Sequence, residues 1–133
     1  MKKILVALVC IVALIGCKDE LNLPEYNSYV DSTPPSIEIV TPLDNQEFTG
    51  TNIIDLQYNL RDDYKLASFS LRIIPSDIDL SEFSDEIQID DSIYTYSNQY
   101  TLPSSDPMTY EVNISAQDSL GFGTNKVYFF TYE

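Results

Sequence analysis

Histidine is absent from these 133 residues. Without an imidazole the chain has no Ser-His-Asp or Cys-His nucleophilic centre, no histidine metal ligand and no ordinary switch near neutral pH. Tryptophan is absent as well, so the buried indole of antibody-type domains is excluded. Cysteine occurs only at positions 10 and 17, so nothing beyond the first seventeen residues can form a disulfide. Positive charge is scarce: 7 Lys+Arg stand against 21 Asp+Glu. Such a surface repels phosphate backbones and anionic lipid, which excludes nucleic acid as a partner and basic-patch membrane binding. The longest uncharged apolar run, from Ile4 to Gly16, falls short of the roughly 20 residues a spanning helix needs.

That run is present for another reason. Lys2 and Lys3 give it a positive start, and its length suits the apolar segment of a secretory signal peptide. It ends in "LIGC", an aliphatic residue, a small residue and then Cys17. The four residues resemble the lipobox of bacterial lipoproteins. The resemblance implies that Cys17 is palmitoylated through a diacylglyceryl thioether and that residues 1–16 are removed. Two or three acyl chains anchor stably where one does not, at about 0.8 kcal/mol per buried CH₂. "KDE" (Lys18, Asp19, Glu20) resembles the export signal of Bacteroidetes-type lipoproteins, which implies outer-membrane attachment on the cell surface; a periplasm-facing position is the alternative. The remaining chain would carry five basic side chains against 21 acids, a formal −16.

Residues 21–35, rich in Pro, Ser and Asn, lack periodicity and are expected to complete a flexible tether over 17–35. From Ser36 onward the pattern alternates with period two. Ile37 and Ile39 share a face; so do Ile54, Leu56, Tyr58 and Leu60; Phe69, Leu71 and Ile73; and Tyr110, Val112, Ile114 and Ala116. Val127 and Phe129 are expected to continue the inward face, leaving Tyr128, Phe130 and Tyr132 on the other side. Residues 42–52 read as a loop, and "SIYTY" and "QYTL" as separate strand segments. No helical stripe is present. About seven short strands in roughly 100 residues predict an all-β, immunoglobulin-like antiparallel β-sandwich over 36–133, with a small barrel as the alternative.

The succession "PPSIEIVTPLDNQEF", "LRDDYKLASFSLRI" and "YEVNISAQDSLGFGTNKVYFF" resembles bacterial Ig-like lipoprotein domains of unknown function. The resemblance implies extracellular binding, display or spacing. It implies no catalysis and no cofactor.

The acids offer the remaining chemistry. Residues 77–91 hold seven of them, yet the EF-hand template fails, because Glu82 and Gln88 stand where it needs Gly and Glu. Asp62, Asp63 and Asp118 are alternative calcium candidates; the plainer role for these aspartates is to accept turn N–H groups, with Gly121 and Gly123 supplying positive φ. Tyr94, Tyr96 and Tyr100, and the row Tyr128, Phe130 and Tyr132, could stack sugars or contact protein if exposed. Ser32, Ser92 and Ser119 each follow Asp and resemble acceptors of Bacteroidetes-type O-glycosylation. The expected function is a lipid-anchored, non-catalytic binding or accessory module of the envelope, with a protein or glycan partner. A small secreted hydrolase or a calcium-dependent adhesion domain is the alternative.

Overall fold

The computed structural model describes residues 31–133; residues 1–30, and with them the expected signal peptide, Cys17 and Lys18–Glu20, lie outside the described part. The described residues form eight strands: β1 (Ser36–Thr41), β2 (Gln46–Phe48), β3 (Ile53–Arg61), β4 (Leu66–Pro75), β5 (Phe83–Gln88), β6 (Ile93–Thr101), β7 (Met108–Asp118) and β8 (Gly123–Tyr132). A three-stranded sheet, β1-β3-β6, faces a five-stranded sheet, β2-β8-β7-β4-β5. This is the expected all-β sandwich and not a barrel. Its first sheet and the β4-β7-β8 portion of its second follow the strand order of an immunoglobulin sandwich.

The alternating residues do what the period-two pattern requires. Ile54, Leu56, Tyr58 and Leu60 of β3 are at most 1% exposed, and Phe69, Leu71 and Ile73 of β4 meet them from the opposite sheet. Aromatic rings occupy the centre where antibody domains place a disulfide and an indole. Phe69 and Tyr96 lie 5.1 Å apart, both beside Tyr58, and Tyr110 stacks on Phe130 at 4.8 Å and 11°. Across the sheets the Tyr58 and Tyr128 hydroxyls share a hydrogen bond of 2.7 Å. Burial pushes Tyr58 up to about 12 and raises Tyr128 as well.

Three expectations change. First, "SIYTY" and "QYTL" belong to one continuous strand, β6, whose nine residues all pair with β3. Second, part of the expected loop 42–52 is strand β2, which makes eight strands, and β2 pairs with β8 in parallel, so the sandwich is not wholly antiparallel. Three residues are too few to show an alternation. The crossing from sheet to sheet is pinned instead by Asn45, whose positive φ of 60° turns the chain and whose N–H donates to the Phe129 carbonyl at 2.7 Å. Third, the phase of β8 is opposite to expectation. Tyr128 and Phe130 are buried, whereas Val127 is 59% and Phe129 43% exposed. Both parities of "VYFFTY" are apolar, so alternation alone cannot choose a face. The register with β7 chooses it, setting Phe130 opposite Tyr110 and Tyr128 opposite Val112.

The two ends of the sandwich differ. At one end the turns after β3, β5 and β7 are tied together: Asp62 N–H donates to Ser92 O, Leu66 N–H to Asp91 O and Ser119 N–H to Lys65 O. The chain enters here. Residues 31–35 form no strand, yet Asp31 and Pro35 are buried, and the Thr124 hydroxyl donates to the Pro35 carbonyl. At the other end Leu102 N–H donates to Asn52 O, Ser76 N–H to Thr109 O and Glu133 N–H to Phe48 O, so the chain finishes opposite its entry.

Candidate functional site

Two aspartates at the entry end share one local device. Asp62 closes β3, and its Oδ1 accepts the N–H groups of Tyr64 at 3.0 Å and Lys65 at 2.7 Å. Asp118 closes β7, and its Oδ1 accepts from Leu120 at 2.8 Å and Phe122 at 2.9 Å. A short acidic side chain at this position substitutes for the next rung of the ladder and fixes the turn. Gly121 supplies the positive φ, 95°, that the second turn needs. Gly123 does not share that role; its φ is not positive, and it opens β8.

Asp31 repeats the device ahead of the first strand, its Oδ1 accepting the Thr33 N–H at 2.9 Å. The Thr33 hydroxyl in turn donates to Asp63 Oδ2 at 3.1 Å. The entry segment is thereby folded onto the β3–β4 turn. The result is a cluster of Asp31, Asp62 and Asp63, in which one oxygen from each lies within 4.8 Å of the others. Asp31 is 2% exposed and Asp62 6%, and the Oδ2 atom of each is buried without a hydrogen-bond partner. A buried carboxylate oxygen left in this state is costly unless something else satisfies it.

Of the calcium candidates read from the sequence, the fold brings Asp62 and Asp63 together and leaves Asp118 outside the cluster in its own turn. It adds Asp31, which sequence spacing could not reveal because 31 positions separate it from Asp62. The acids of 77–91 are dispersed. Glu82 pairs with Arg72 at 2.6 Å, Asp85 accepts the Tyr96 hydroxyl at 2.8 Å, and Asp90 pairs with Lys65. None of them joins the cluster.

The aromatic candidates resolve differently from expectation. Tyr96, Tyr100, Tyr128 and Phe130 are core residues, and Tyr94 and Tyr132 are half-buried, so neither group forms an exposed stacking row. The sequence signal that could have shown this is the in-phase match of Tyr96 and Tyr100 with the inward face of their strand. Ser32 and Ser119 are exposed and Ser92 is half-buried.

The outer face of the three-stranded sheet carries a polar ladder that the sequence reading did not single out. Asn59 donates to Glu38 at 2.9 Å and accepts from the Thr95 hydroxyl at 3.1 Å, and Gln99 donates to Asp55 at 2.9 Å. Open concavities on this face are lined by Asp55, Gln57, Ser97 and Gln99, and by Glu38, Asn59, Arg61 and Thr95. Amide and hydroxyl groups in such a row can both donate to and accept from a polar partner.

No protein-family model matches the chain, and no curated protein matches it in sequence. The site therefore rests on its own geometry.

Proposed function

We propose that the chain is a lipid-anchored, non-catalytic binding or accessory module displayed on the outer surface of a bacterial outer membrane. The observation that carries this is the join at "LIGCKDE", where an uncharged run after two lysines ends at a small residue and Cys17. In this reading residues 1–16 are an export signal, Cys17 is the acylated anchor, and Lys18, Asp19 and Glu20 direct the domain to the cell surface. The domain has an immunoglobulin-like form and serves as a scaffold for contacts.

The layout of the sandwich supports display. The chain enters at one end, and the connections 49–52, 76–82 and 102–107 lie at the other, away from any N-terminal anchor. The polar ladder on β1, β3 and β6 offers an exposed face to an envelope protein or a glycan.

Metabolic labelling with palmitate tests the anchor. The wild-type chain should incorporate label and Cys17→Ser should not, and globomycin should block processing. An unlabelled wild-type chain refutes the reading. Protease treatment of intact cells tests display, since a periplasm-facing domain would be protected.

A further inference from the structure

We propose that Asp31, Asp62 and Asp63 form a calcium site that clamps the incoming chain onto the sandwich. The inference does not depend on lipidation, because it concerns only how the segment before β1 is held.

The geometry suits one hard cation. Two ligands of a single calcium stand no further apart than about 5 Å, twice a bond of roughly 2.3–2.6 Å. The three carboxylates each place an oxygen within 4.8 Å of the others and so meet that limit. Three carboxylates this close set like charges against each other, a repulsion that a bound cation reduces.

The second observation is the state of the buried oxygens. In Asp31 and Asp62, Oδ1 is committed to backbone N–H donors, which fixes the orientation of each carboxylate. Oδ2 is then the atom left for a ligand, and in both residues it is buried and unpartnered. An all-oxygen set drawn from a turn and the incoming irregular segment suits calcium, which accepts irregular geometry; magnesium demands a near-ideal octahedron at about 2.0–2.1 Å. An open concavity lined by Thr33, Pro34, Ser36, Arg61, Asp62 and Asp63 gives the ion a path and leaves room for the waters that complete its shell.

The consequence is conformational. With calcium bound, residues 31–35 gain a tie to the β3–β4 turn beyond the Thr33–Asp63 and Thr124–Pro35 hydrogen bonds. The cation therefore sets how far the rigid part of the molecule extends towards its N-terminus.

Calorimetric titration of the EGTA-treated protein with calcium chloride tests this, together with melting curves and proteinase K cleavage mapped by mass spectrometry. The wild-type protein should bind one calcium, melt at a higher temperature with it, and be protected from cleavage ahead of Ser36. Asp31→Asn lies outside every strand and should fold normally while losing about tenfold or more in calcium affinity, along with the protection. Asp63→Asn, at an exposed position, should weaken binding in the same way. Asp118→Asn should keep the wild-type affinity. The proposal is overturned if calcium gives neither heat nor a melting shift, or if Asp31→Asn binds as tightly as wild type. A loss in Asp118→Asn equal to that in Asp31→Asn overturns the three-residue assignment. Magnesium acting as strongly as calcium overturns the choice of ion.

Discussion

The hydroxyls of Tyr58 and Tyr128 meet between the sheets and satisfy each other, and both residues are at most 4% exposed. Removing one leaves the other buried and unpaired. Tyr58→Phe and Tyr128→Phe should each destabilise the fold by about 1–3 kcal/mol, whereas the double variant should cost clearly less than their sum. Urea unfolding of the four proteins measures this; strictly additive losses would show that the bond contributes nothing. Tyr100 and Tyr110 provide the contrast, because their buried hydroxyls have no partner. Tyr100→Phe and Tyr110→Phe should therefore leave the urea midpoint unchanged or raise it. Asp31, Asp62 and Asp118 each keep one buried carboxylate oxygen without a partner, and only the first two stand beside a third carboxylate, Asp63, where the proposed calcium would satisfy them.

Among the elements, β8 shows how packing settles what composition leaves open. Phe130 is fully buried against Tyr110, while Phe129, its neighbour in sequence, is 43% exposed. Phe130→Ala should cost about 3–5 kcal/mol and Phe129→Ala less than about 1 kcal/mol in denaturant titrations. The reverse order would mean that the register with β7 is wrong by one residue. Strands β3, β4 and β7 were legible from sequence because each alternates apolar with polar residues. β8 was not, because Val127 and Phe129 are as apolar as Tyr128 and Phe130. β2 was not either, since its three residues acquire strand geometry only by lying beside β8. The turn roles of Asp62 and Asp118 could be read locally. Asp31 could not, because its approach to Asp62 exists only after β1 has paired with β3 and fixed the entry of the chain.

For the molecule as a whole, tyrosine joins the two layers into one unfolding unit. Burial raises the phenols of Tyr58, Tyr96 and Tyr100 to about 12, and those of Tyr110 and Tyr128 also upward. A folded pKa above the unfolded value near 10 means that the native state keeps protons the unfolded chain would release. Their contribution is complete below about pH 10 and is lost as pH rises through about 12. Absorbance at 295 nm should show these five tyrosines ionising together with loss of the β-sheet circular dichroism. Ionisation of all tyrosines at about pH 10, with the sheet signal intact, would contradict the packing.

The opposed positions of entry and exit also have a mechanical meaning. Tension applied at residue 31 and resisted at the far end runs parallel to the strands. It loads β1 against β3 along their shared axis, and it loads parallel β2 against β8 in the same sense. The backbone hydrogen bonds of each pair then bear the load side by side in shear and cannot open one after another like a zip. Anchored at one end and bound at the other, the domain would transmit a pull along its length as a stiff link.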